Sequence, residues 1–138
     1  MPPARSTSPR PPPIRVSEND YDQLSRLLEG LHAPSAGAAL LIQELDRARI
    51  VSPAYRGAPF VRLNSIVEYQ DTESGQTRRL RVGLPQHARI ENDSISVLSP
   101  AGAALIGLSA GQVMRWEVAD GRTQTFKVLA VINEVAAG

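Results

Sequence analysis

The side chains that could do chemistry in this chain are few and scattered. Its 138 residues include two histidines and no cysteine, which excludes disulfides and thiolate metal sites and fits a reducing cytoplasm. His32 and His87 each lack a second histidine or an acidic cluster at ligand spacing. Both therefore read as solvated loop residues rather than zinc ligands or proton carriers. Ser99 could be a nucleophile only if a general base stood beside it in space. Its setting favours a helix N-cap, with Pro100 at the first helical position, where the missing N–H costs nothing. No glycine loop of the phosphate-binding kind is present, so kinase chemistry has no support. The expectation is a chain with no catalytic residues, no metal and no cofactor.

Bulk composition narrows the class further. A net charge of +1 gives no broad basic surface for nucleic acid. No apolar run approaches the ~20 residues needed to span a bilayer. Pro-rich residues follow the basic N-terminus where a signal peptide would be apolar. The apolar fraction of 42% suffices for a core, and the 4% aromatic content makes that core aliphatic.

The elements that must position these residues can be read from spacing. Residues 1–14 form a Pro, Ser and Arg-rich tail expected to be disordered or extended. Residues 15–52 read as a short antiparallel helical hairpin. Ser17 and Asp20 resemble a capping box, and Tyr21, Leu24, Leu27, Leu28 and Leu31 recur at helical spacing. Gly30, His32 and Pro34 mark the stop, leaving Leu31, His32, Ala33, Pro34 and Ser35 as the tip. A second helix is expected from about Ser35 to Ile50, with Ala38, Leu41, Leu45 and Ala48 as its stripe. Each stripe is too short to be stable alone, so the pair must hold together or lean on the rest. Residues 53–63, punctuated by Pro53, Gly57 and Pro59, form a linker.

Residues 64–138 read as a twisted antiparallel sheet with one short helix, which makes the class α+β. Strands are expected over Ser65–Gln70, Gln76–Val82, around Ile95, over Val113–Val118 and over Thr123–Val131. Turns are expected at Asp71–Gly75, Glu91–Asp93 and Asp120-Gly121. Pro100–Ile106 is the helix, ended by Gly107. Arg79 and Arg81 fall on one strand face, Arg78 and Leu80 on the other, as a solvated face or a contact for an acidic surface. Trp116 shares a face with Met114, a pattern of core packing.

Several of these strings, in this order, resemble a known family. Asn64-Ser65-Ile66-Val67, the Asp71–Gly75 turn, Ile95-Ser96-Val97, Ser99-Pro100, Ala104-Leu105-Ile106-Gly107 and Gly111 look like the FKBP-like C-terminal domain of the Gre transcript-cleavage factors. Glu44-Leu45-Asp46-Arg47-Ala48, Ser52-Pro53, Gly102–Leu108 and Arg115-Trp116-Glu117 are more similar to their relatives, the regulator of nucleoside diphosphate kinase (Rnk) family. The resemblance implies a cytoplasmic bacterial protein that binds RNA polymerase at the rim of its secondary channel, competes with Gre factors and affects nucleoside diphosphate kinase. It also implies that Ser99, Pro100, Ala101, Ala104, Leu105 and Gly107 make the polymerase contact. Sequence-specific nucleic acid binding is not expected.

Gre chemistry needs carboxylates at the tip of a long arm, where they help hold a second Mg²⁺. Here the tip has no acid, and the nearest are Glu29 and Glu44. Helices of roughly 14 residues give an arm of only about 20 Å. No transcript cleavage is therefore expected. An active Gre-like cleavage factor is the alternative, and an FKBP-type prolyl isomerase a weaker one, because fold does not carry function.

Overall fold

A computed structural model describes residues 12–32, 35–88, 93–117 and 121–133. The expected turn at Glu91-Asn92 and the Asp120 half of the last hairpin turn lie outside the described residues, as do residues 1–11 of the tail.

The chain opens with strand β1 (Arg15–Ser17) and helix α1 (Glu18–Glu29). Ser17 caps α1: its Oγ accepts the Asp20 N–H at 3.1 Å. Helix α2 (Ala36–Arg47) is capped by Ser35, whose Oγ accepts the Ala38 N–H at 3.1 Å. The second helix was expected to reach Ile50, but it stops at Arg47. Arg49–Val51 forms strand β2, parallel to β1, with Arg15 opposite Arg49 and Val16 opposite Ile50. The β-branched Ile50-Val51 pair suits a strand better than a last helical turn. The end of the tail is also tied down. Ile14 is buried, the Pro12 carbonyl accepts from Arg47, and the Pro13 carbonyl accepts from Gln112 Nε2 at 2.9 Å.

The remaining strands are β3 (Ile66–Asp71), β4 (Thr77–Gly83), β5 (Ser94–Ser96), β6 (Val113–Glu117) and β7 (Thr123–Ile132), with helix α3 (Pro100–Leu105) between β5 and β6. They form one sheet in the order β5-β4-β3-β7-β6. The sheet is not wholly antiparallel as expected, because β5 joins β4 in parallel. The 3-10 turn Pro85–His87 begins the connection that brings the chain back along β4. A bulge between Glu68 and Tyr69 shifts the β3–β7 register.

Helices and sheet share one core. Leu24 of α1 and Leu41 of α2 are fully buried with Val67, Val82, Leu105 and Val128. Helices α1 and α2 touch each other little, so the expected helical hairpin does not close on itself, and α2 lies mainly on α3. Gly37 makes that approach possible: a Cβ there would fall 1.7 Å from the Leu98 carbonyl oxygen. On the other side, Asp20 of α1 accepts the Leu63 N–H at 3.0 Å. The helical pair thus leans on the sheet through both its members.

Candidate functional site

Ser99 caps α3, accepting the Gly102 N–H at 3.1 Å and donating its own proton to the Ser96 carbonyl at 2.6 Å. Both roles of the hydroxyl are spent on local structure, so it is not poised as a nucleophile. Pro100 opens the helix and is exposed, while Ser99 and Ala101 are half-buried. These three can meet a partner.

The other residues expected at the polymerase contact cannot. Ala104 and Leu105 have no exposure at all, because the apolar face of α3 is pressed into the core. Gly107 is buried between β1 and the linker, with φ +83° and a position where a Cβ would meet Ile14 at 2.8 Å. It accepts the Arg15 N–H at 3.2 Å and donates to the Val61 carbonyl at 2.9 Å. The small residues of α3 serve the inner face.

Beside Pro100 a groove continues onto α2. Because Gly37 rests on Leu98 and Ser99, the start of α2 and the Pro100 turn stand side by side. Leu31 is half-buried, His32 and Ser35 are exposed, and Ala33 and Pro34 lie outside the described residues. Between α2, Pro100 and β6 runs an open groove of about 350 Å³, walled by Ala36, Ala39, Leu40 and Gln43 and floored by Met114 and Trp116. Sequence reasoning missed the α2 wall, although its signal was available in the run Ala36-Gly37-Ala38-Ala39.

An aromatic stack supports the floor. The Trp116 ring meets Phe126 edge-on at 4.5 Å, and Phe126 lies 4.3 Å from Tyr69. Trp116 is buried, and its indole N–H finds no acceptor among the described residues. Burial pushes the Tyr69 phenol above its usual range, with nearby Arg78 opposing.

The acids nearest the tip lie in the two helices. Glu29 is exposed in the last turn of α1. Glu44 is buried in α2 and held by Arg47, with contacts at 2.5 and 3.3 Å. Asp20 sits between helix and linker, where burial raises its carboxyl pKa against the lowering effects of the Leu63 N–H, Arg62 and Ser17. Among the described residues no three acidic or histidine side chains gather as a metal site. No described helix is long and apolar enough to cross a membrane.

Two features together define the class of protein: a capped helix set under a five-stranded mixed sheet, and a helical pair folded onto it. Residues 57–133 match the family described as transcription elongation factor, GreA/GreB, C-terminal, and residues 12–51 match the Rnk N-terminus. The chain belongs to the GreA/GreB-related family, in its branch with an Rnk-type N-terminus. It is 33% identical over 119 residues to the regulator of nucleoside diphosphate kinase from Escherichia coli, covering 86% of this chain and 88% of that protein. It is 30% identical over 125 residues to the transcription inhibitor protein Gfh1 of Thermus thermophilus, covering 86% of this chain and 76% of that one. Among solved structures, a prokaryotic transcription elongation factor GreA/GreB from Nitrosomonas europaea superimposes with a TM-score of 0.69 at 31% identity, covering 88% of this chain and 99% of that chain.

Proposed function

We propose that this chain is a transcription regulator that docks on RNA polymerase at the rim of the secondary channel, excludes Gre factors and does not stimulate transcript cleavage. The observation that carries the reading is the seat of α2 on the Leu98-Ser99-Pro100 turn. It sets the start of α2 beside the turn that the Gre resemblance assigns to the rim. Each helix has 12 residues, about 18 Å of axial length, and runs over the sheet unit rather than away from it. The described tip residues, Leu31, His32 and Ser35, bring no carboxylate to a metal. A Gre relative named as a transcription inhibitor supports a non-cleaving member of the family.

The rest of the reading follows the same resemblance. Residues 64–138 act as an FKBP-like docking domain, 15–52 as the short hairpin and 53–63 as the link between them, after a tail of residues 1–14. The groove beside Pro100 takes the polymerase contact, so that Ser99, Pro100 and Ala101 are its part of α3. An effect on nucleoside diphosphate kinase belongs to the same reading, and the site of action is the bacterial cytoplasm. The test is binding of labelled chain to purified core RNA polymerase, with and without excess Gre factor. Binding that Gre displaces supports the proposal; binding that Gre leaves unchanged removes the shared site, and absence of binding removes the proposal altogether.

A further inference from the structure

The β1–β2 ribbon carries an unbalanced charge. Arg15 and Arg49 stand directly opposite each other in a parallel pair, an arrangement that costs stability. Neither has a carboxylate partner among the described residues. The Arg15 guanidinium lies 5.6 Å from the centre of the Tyr55 ring, which orients it. Both arginines wall an open pocket of about 370 Å³ that also has Val51, Ser52 and Tyr55 on its walls. Ser52 Oγ accepts the Ala54 N–H at 3.2 Å, which leaves its own proton to give.

The pocket continues past Val51 and Tyr55 into a second depression of about 210 Å³, reaching Phe60 and Arg62. Arg62 lies 6.0 Å from the Phe60 ring centre, and Phe60 packs edge-on to Tyr55 at 5.6 Å. Glu18 is the acid on these walls, and it lies at the far end, in the first turn of α1. Beside Arg49, Ile50 is 46% exposed.

We propose that this face docks an acidic protein segment, with a carboxylate between Arg15 and Arg49 and apolar side chains over Val51 and Tyr55. Two guanidiniums with an adjacent hydroxyl suit a carboxylate, which accepts paired N–H donors. A nucleic acid strand would draw its affinity from a longer line of cations. Here apolar and aromatic residues alternate with the arginines, and an acid closes one end. The proposal rests on the polymerase reading, and it assigns the segment to the polymerase surface as a second contact beyond the Pro100 groove.

The experiment titrates core RNA polymerase with the full chain at two salt concentrations. It compares the unaltered protein with R15E/R49E, R15Q/R49Q, R15K/R49K and the reversal K127E on an exposed position of β7, outside both depressions. The expected result is at least tenfold weaker binding for R15E/R49E and a shallower salt dependence for R15Q/R49Q. R15K/R49K should fall between, and K127E should bind as the unaltered chain does. The melting temperature of R15Q/R49Q should hold or rise, because a like-charge pair has been removed; a merely structural role would lower it. Full affinity in a folded R15E/R49E chain overturns this proposal and leaves the polymerase reading standing. Displacement of polymerase by a single-stranded oligonucleotide overturns it in favour of nucleic acid. If the unaltered chain does not bind at all, the polymerase reading fails and this one with it.

Discussion

The sheet half and the helical half of this molecule are stabilised in different ways. In the sheet half, local signals and tertiary structure agree. Ser99 caps, Pro100 starts, and the helix lies where small apolar residues can be buried. In the helical half, two segments of 12 residues cannot stand alone, and they are held by the core they share with the other half and by two close contacts to it. Gly37 against Leu98 and Asp20 against Leu63 are those contacts. The two helices lie as a cover on the sheet unit.

The largest effect is expected at Gly37. In an isolated helix, Gly37→Ala would stabilise by about 1 kcal/mol. Here the new Cβ would sit 1.7 Å from backbone, which cannot yield as a flexible side chain would. The substitution should therefore destabilise by about 2–3 kcal/mol, read from urea unfolding. An unchanged or raised stability would mean that α2 does not rest on the Leu98 turn.

The Asp20 contact sharpens the comparison from the other side. Asp20→Ala leaves the Leu63 N–H without its acceptor, at a cost of about 1–2 kcal/mol. Asp20→Asn keeps an acceptor and should cost less. Burial raises the Asp20 pKa in the folded chain above its unfolded value. Its contribution to stability is therefore complete below the unfolded carboxylate range and is lost as pH rises through the folded value. The stability of the unaltered chain relative to Asp20→Asn should decline as pH rises from below the ordinary carboxylate range through the raised folded value, in paired urea titrations. A rising difference would reverse the assignment.

Smaller still is the effect expected within the sheet half. Ser99→Ala removes one cap and should cost about 1 kcal/mol. Because α3 is also held by its buried face, the helix should persist, and circular dichroism should change little. Loss of the whole fold would show that the cap, rather than the packing, holds α3.

This contrast also explains what the sequence disclosed. The α3 signal is local, so Ser99-Pro100 and the following run gave the helix to within a residue. Strands β3, β4, β6 and β7 were legible from alternation and turn residues for the same reason. Strands β1 and β2 were not, because each spans three residues and pairs with a segment more than thirty positions away. Burial was the other hidden quantity. The Gre resemblance put Ala104, Leu105 and Gly107 on the contact, and only the packing shows which way they point. Pro100 remained at the surface because it opens the helix, and the groove beside it needed α2, which lies far away in sequence.

The most direct test of the central claim is transcript cleavage in a backtracked RNA polymerase complex saturated with this chain. The account predicts that the chain alone does not shorten the RNA, and that it slows the shortening driven by added Gre factor. Shortening of the RNA by the chain alone would contradict it, and would mean that a carboxylate reaches the polymerase metal after all.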